Sequence, residues 1–148
     1  MRPWPWPQAA PLALIVDDQD PNLRLLGRVL SDAGFDVMPA STGEQALLRL
    51  AAAVPDVILL DVHMPGMSGF EVLSRIRCSP AWVHVPVIFL TAAAERDLLR
   101  RAFNAGADDY VTKPFVTDEL LARVATHAEL GRLRARLREL DASEAMPT

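Results

Sequence analysis

The sequence predicts one α/β domain: a doubly wound sheet of five parallel strands, covered by helices on both faces and ending in a long C-terminal helix. Three observations predict it. Short apolar runs rich in β-branched residues alternate, five times over, with segments whose apolar residues recur at helical spacing. The length of 148 residues suits one domain with a full core. A composition of 51% hydrophobic and 23% charged residues is that of a globular chain.

The same totals narrow the function. A net charge of −4 gives no whole-surface attraction to nucleic acid, so no direct nucleic-acid contact is expected. The single Cys78 excludes an internal disulfide or a cysteine-based zinc cage and agrees with a reducing cytoplasm. No apolar run approaches bilayer length and no apolar signal core opens the chain, so a cytoplasmic protein without membrane contact is expected.

Residues 1 to 11 hold four prolines and two tryptophans. Proline lacks the N–H that helices and central strands need, so this stretch reads as a disordered arm. Trp4 and Trp6 could instead dock in a groove as a proline-rich ligand does. Leu12 to Val16 is the first buried strand. Asp20-Pro21 opens a helix with Leu23, Leu26, Val29 and Leu30 inward, and Gly34 stops it. Phe35 to Pro39 is the second strand, and its proline places it at a sheet edge. Ser41-Thr42-Gly43-Glu44 resembles a capping box before a helix with Ala46, Leu47 and Leu50 inward. Pro55 opens the third strand, where Val57 to Leu60 run straight into Asp61 and then the Pro65-Gly66 turn. Gly69 to Arg77 is helical, and Ser79-Pro80 breaks the helix. Val85 to Leu90 is the fourth strand, ending at Thr91. Ala94 to Asn104 is the fourth helix. Tyr110 to Thr112 is a short fifth strand before Lys113-Pro114. The last helix opens near Thr117, where Asp118 and Glu119 favour its positive end.

Five βα units of this length fit the flavodoxin-like strand order 2-1-3-4-5 with right-handed crossovers. That order brings Asp17, Asp18, Asp61, Thr91 and Lys113 to the carboxyl edge of contiguous strands, where open α/β sheets place ligands. Each has a bland reading alone: a helix cap for Asp17 and Asp18, a turn opener for Asp61, a strand end for Thr91, a solvated charge for Lys113. Together they describe a phosphoryl site. Three close carboxylates repel unless a cation joins them, and hard oxygen ligands suit Mg²⁺, with Mn²⁺ the alternative. A hydroxyl and an ammonium suit phosphate oxygens, and a carboxylate can accept phosphate as an aspartyl phosphate.

Asp17-Asp18, Asp61 within LLDVHMPGMSG, Thr91-Ala92 and Lys113-Pro114-Phe115 together resemble the receiver (CheY-like) domain of bacterial two-component response regulators, over about residues 12 to 128. The resemblance implies that Asp61 takes phosphate from a histidine kinase or histidine phosphotransfer protein. It implies that Asp18, Asp61 and the backbone carbonyl of His63 hold Mg²⁺, with Asp17 acting through metal-bound water. It gives Thr91 and Lys113 the phosphate oxygens, makes Tyr110 the aromatic switch residue, and makes Lys113–Pro114 a cis bond. It further implies that phosphorylation changes the surface of the fourth helix, fifth strand and fifth helix, and so controls an output domain or partner. This is a switch and not a turnover enzyme, with slow self-dephosphorylation at most. A phosphohydrolase is the alternative, but it would want a second acid where His63 stands. A pseudo-receiver used only for assembly is the other, and the complete acceptor set opposes it. From its place two residues after the acceptor, His63 either tunes the lifetime of the phosphorylated state or is an exposed loop histidine without a role. His84 and His127 have no partner at metal spacing and read as non-functional.

Residues 129 to 148 read as a helical extension or linker and a tail, with 141 to 148 unstructured. Leu130, Leu133, Leu137 and Leu140 recur at spacings of 3, 4 and 3, an a/d seam, with Arg132, Arg134, Arg136 and Arg138 among them. Two readings stand side by side. One is a helix that pairs with a second copy as a homodimer, or leads to an output domain as in multidomain regulators. The other is a solvated, fraying helix.

Overall fold

The computed structural model describes residues 9–92 and 96–145. The elements are β1 (Leu12–Val16), α1 (Asp20–Asp32), β2 (Asp36–Ala40), α2 (Gly43–Ala52), β3 (Val57–Asp61), α3 (Gly69–Arg77), β4 (Val87–Thr91), α4 (Arg96–Asn104), β5 (Asp109–Thr112) and α5 (Thr117–Ala145). All neighbouring strands are parallel, in the order β2-β1-β3-β4-β5 that the sequence predicts. Residues of the expected arm up to position 8 lie outside the described residues, as do positions 94 and 95 of the expected fourth helix.

The sheet separates two cores. Ile58, Leu60 and Phe89 point into one with Leu50, Leu73 and Ile76 of α2 and α3. Val57, Leu59, Ile88 and Leu90 point into the other with Leu26, Leu30, Leu120 and Val124 of α1 and α5. Consecutive residues of β3 and β4 therefore serve opposite faces, which is why these strands read as unbroken apolar runs.

Proline sets several boundaries. β3 begins at Val57 and β4 at Val87, each two residues later than the sequence reading. Pro55 and Pro86 have no N–H to give to a ladder. Asp56 bridges the gap ahead of β3: its N–H donates to the Leu12 carbonyl (2.8 Å) and its carboxylate accepts from the Leu12 N–H (2.8 Å). Pro39 sits on β2, an edge strand as expected, and its carbonyl accepts a bond from Arg49 Nε (3.2 Å). The cap of α2 falls one residue beyond the expected Ser41. Thr42 accepts from the Gln45 N–H (3.0 Å), and the Gln45 side chain reaches back to the Ser41 N–H (2.7 Å). Gln45, not Glu44, therefore makes the reciprocal bond.

α5 continues well past the sheet and turns one face onto the amino-terminal edge of the strands. Gly131 makes this approach fit: a Cβ there would lie 2.1 Å from the Asp56 carbonyl oxygen and 2.9 Å from Pro86 Cδ. Arg132 pairs with Asp56 (3.5 Å) and also donates to the Ala9 carbonyl. Arg134 pairs with Asp108 (3.2 Å). Arg138 donates to the Pro80 carbonyl and meets His84 Nδ1. Docked in this way, the helix runs to Ala145, so residues 141–145, expected without structure, are helical. Gly131→Ala is expected to invert the usual helix trend. In an open helix the change would add about 1 kcal/mol of stability. Here the methyl group meets backbone, and overpacking of this kind costs about 1–3 kcal/mol. A denaturant midpoint that falls at constant m-value would show it.

Candidate functional site

The carboxyl edge of the sheet is built by ladder bonds that run one step past each strand. The Asp17 N–H donates to the Ala40 carbonyl (3.1 Å), the Val62 N–H to Leu90 (3.1 Å) and the Lys113 N–H to Thr91 (2.7 Å). Continuous pairing of this sort fixes where the next side chains stand. Gly69 tightens the same edge. A Cβ there would be 2.3 Å from the Asp61 carbonyl oxygen, so only glycine lets α3 start against the end of β3.

Asp17, Asp18 and Asp61 come together, with one carboxylate oxygen of each lying within 4.8 Å of the others. Asp17 is fully buried. One of its oxygens accepts from the Gln19 N–H (2.9 Å) and the other from Lys113 Nζ (2.7 Å). Asp61 is nearly as buried and accepts from the His63 N–H (3.2 Å), while its second oxygen lies 3.5 Å from Lys113 Nζ. One ammonium thus meets two of the three carboxylates and sits closest to Asp17.

The charge imbalance shows in the protonation of Asp61. Burial pushes its carboxyl up to about 6. Lys113 opposes this, Asp17 adds to it by repulsion, the His63 N–H opposes it, and a hydrogen bond with Asp18 adds to it. A cation beside such a buried carboxyl would favour its charged form. The donor set is all hard oxygen with an excess of negative charge, which fits Mg²⁺ or Mn²⁺. The two ions differ too little in these ligands for the trio to choose between them.

Thr91 is buried at the end of β4, and its backbone pairs with Thr112 of β5. The Lys113–Pro114 bond is cis, as the resemblance implies. Tyr110, half-buried on β5, sets its ring edge-on to Phe103 of α4, with centroids 6.1 Å apart. His63 is exposed on the loop after Asp61. Of the residues singled out from the sequence, Asp17, Asp18, Asp61 and Lys113 meet in one cluster, Thr91 stands one residue past Leu90, the β4 partner of Asp61, and His63 gives its N–H to Asp61.

Two groupings lay beyond sequence reasoning. His127 Nε2 lies 3.1 Å from Asp109, which also binds Arg123 (2.8 Å), so an acid on β5 holds two side chains of α5. Arg77, at the end of α3, donates to the carbonyls of Gly106 (2.9 Å), Val83 (3.2 Å) and Val85 (2.8 Å) and to Asp108 (2.8 Å). His84, pushed below its ordinary value by burial and then by Arg138, Arg134 and Arg77, stands beside that cluster. Gly131 was legible in one respect. A glycine inside a helical pattern costs about 1 kcal/mol against alanine, a cost that packing around it offsets here.

A parallel sheet of this order, with an acid trio, a buried hydroxyl and a lysine at its carboxyl edge, defines a class of signalling modules that accept phosphate and do not turn over a substrate. The chain belongs to the response regulator receiver domain family, whose model matches residues 13–125. It is 46% identical over 113 residues to the transcriptional regulatory protein KdpE of Mycobacterium tuberculosis H37Rv, covering 76% of this chain and 49% of that one. It is 38% identical over 130 residues to the response regulator PleD of Caulobacter vibrioides, covering 88% of this chain and 29% of that protein. The chain therefore spans half or less of the length of these relatives. The signal receiver domain of an HD domain-containing protein from Pseudomonas fluorescens Pf-5 superposes with a TM-score of 0.80 at 28% identity, over 90% of this chain and 97% of that one. Among the described residues no helix is long and apolar enough to cross a membrane.

Proposed function

We propose that Asp61 is the phosphoacceptor of a cytoplasmic two-component phosphorelay. The observation that carries this is Asp61 itself, buried among two further carboxylates and one lysine and holding its proton up to about 6. A carboxylate oxygen of Asp61 attacks the phosphorus of a phosphohistidine on a histidine kinase or phosphotransfer protein. The P–N bond breaks and an acyl phosphate forms. Asp18, Asp61 and the His63 carbonyl would hold a divalent cation, with the carboxylate of Asp17 beside them. When bound, the cation neutralises charge on the transferring group. Lys113 moves from the acids to a phosphate oxygen, and Thr91 supplies a hydroxyl to another. With Thr91 drawn inward, Tyr110 leaves Phe103, and the surface of α4, β5 and α5 changes for an output domain or partner.

Incubation with a small acyl-phosphate donor and Mg²⁺, followed by intact-mass analysis, tests this. One added phosphoryl group that is labile to hydroxylamine and absent without metal is expected. Its appearance on a residue other than Asp61 would refute the assignment. The exposed His63 flanks the acceptor, where a side chain controls entry of water. In His63→Ala the half-life of the phosphorylated form is expected to change severalfold, read by the decay of the phosphorylated mass. An unchanged half-life removes the role.

A further inference from the structure

The edge of the sheet away from the acid trio carries a cleft that the switch chemistry does not use. It lies between the last turns of α5 and the loops that lead into β3 and β4, with a volume of about 420 Å³. Gly131, Ala135 and Ala142 form its helix wall, and Val54, Pro55 and Ala81 line the other side. Side chains this small leave an apolar slot. Two charged groups complete it. Arg138 is held in place by the Pro80 carbonyl and His84 Nδ1. Glu139 has no ion-pair partner among the described residues. A slot of this shape beside a fixed cation suits a flat aromatic ring, which buries a large apolar area and stacks on a guanidinium.

We propose that this cleft is the docking site for residues 1 to 8 of the same chain, with the indoles of Trp4 and Trp6 seated between α5 and the body. The described residues begin at its rim. The Ala9 carbonyl accepts from Arg132, whose guanidinium also pairs with Asp56 (3.5 Å), and Asp56 lines the cleft. Trp4 and Trp6 each precede a proline, which favours extended backbone in the residue before it. An extended chain sends alternate side chains to one face about 7 Å apart, so both rings enter the slot from one side. Trp6 is three residues from Ala9 and Trp4 five, so they reach up to about 10 and 17 Å from it. Ala135 and Ala142 stand about 5 and 15 Å along the helix from Arg132. The two rings therefore span the length of the slot.

Charge agrees with this occupant. Arg2 is the one charged side chain ahead of Asp17, and the unpaired Glu139 is within its reach. The tether favours the chain's own segment over any separate molecule, because a short linker holds it at millimolar effective concentration however dilute the protein. Proline has already restricted the backbone, so docking orders few further torsions. A docked arm closes the open side of the cleft and straps the end of α5 to the body. The proposal stands apart from the phosphoacceptor reading, because none of these residues touches the acid trio.

Hydrogen exchange of the whole chain tests it. Replacing Trp4 and Trp6 together by alanine should speed amide exchange over residues 133–142 severalfold and leave β1, β3 and β4 unchanged. Acrylamide quenching gives an independent reading. In a Trp82→Phe background the two arm indoles alone emit, and their quenching should be well below that of free tryptophan. Ala135→Arg fills the slot and adds a cation beside Arg138, so it should raise the quenching severalfold, with circular dichroism confirming an intact fold. Both effects should be the same at micromolar and at near-millimolar concentration. Unchanged exchange overturns the proposal, as do indoles quenched like free tryptophan. Quenching indifferent to Ala135→Arg would seat the arm elsewhere and also overturns it. So does protection that grows with concentration, which would put the arm in the cleft of another molecule. Acyl-phosphate labelling of the same variants should be unchanged, which separates this result from any failure at Asp61.

Discussion

Asp61→Asn is expected to abolish phosphoryl uptake and, in metal-free buffer, to make the protein more stable. The two effects share one cause. A carboxyl raised from 3.8 to about 6 binds its proton more tightly when folded than when unfolded. The folded state then holds more protons than the unfolded state between those values, so stability is fully present below about 3.8 and falls as pH rises through about 6. At neutral pH the ionised Asp61 costs about 3 kcal/mol, because a rise of about two pKa units is worth about 1.4 kcal/mol for each. Asparagine keeps the shape and removes the charge, while Lys113 retains its 2.7 Å partner Asp17. Thermal melts at pH 7 without divalent metal should show a higher Tm for the variant. Adding Mg²⁺ should raise the Tm of the parent and leave the variant nearly unmoved, so the order of the two reverses or closes. A parent protein that is insensitive both to Mg²⁺ and to pH between 4 and 7 would contradict the electrostatic account of the site.

Arg77→Met is expected to be the most damaging single change away from the site. The guanidinium joins α3 to the segment before β4 and to the start of β5 through four hydrogen bonds. Both Arg77 and Asp108 are largely buried in their ion pair. Removing one partner strands the other charge, and losses of about 3–5 kcal/mol follow in such cases. Asp108 also accepts from the Val87 N–H (2.9 Å) and binds Arg134, so it keeps some compensation, which places the expected loss near the lower end. Adding Asp108→Asn to Arg77→Met should recover part of it. Arg24→Ala serves as the contrast. Its pair with Asp20 is 3.9 Å long between side chains 84% and 75% exposed, and no measurable change is expected. Equal denaturant midpoints for the Arg77 and Arg24 variants would remove the cluster's structural importance.

The sheet was legible because β3 and β4 are buried on both sides, and nothing except a run of aliphatic residues can satisfy that position. The acid trio was legible for a related reason: each charge follows directly on such a run, so its place at the sheet edge is set by the strand it ends. Features held by distant contacts were not legible. Arg77 reads as one more charge at a helix end, and only the fold brings Gly106 and Asp108 to it. The turns of α5 beyond residue 140 look too polar and too short to persist, and they persist because Arg138 and its neighbours anchor the helix to loops more than fifty residues earlier in the chain. The cap of α2 was missed by one residue because Ser41 and Thr42 carry the same hydroxyl chemistry. The choice fell to Gln45, whose amide reaches back to the Ser41 N–H.

Pro39 has a consequence for how the molecule behaves in a crowded solution. An exposed sheet margin is a template on which other chains can polymerise. Along β2 the backbone of Ala40 faces β1, so that of Pro39 faces outward. There it offers no donor, and its acceptor is already taken by Arg49. A foreign chain reaching this margin finds the repeat of donors and acceptors broken at its centre. Replacing Pro39 by valine would restore an outward donor on this margin, and a greater tendency to aggregate at unchanged denaturant midpoint would show it.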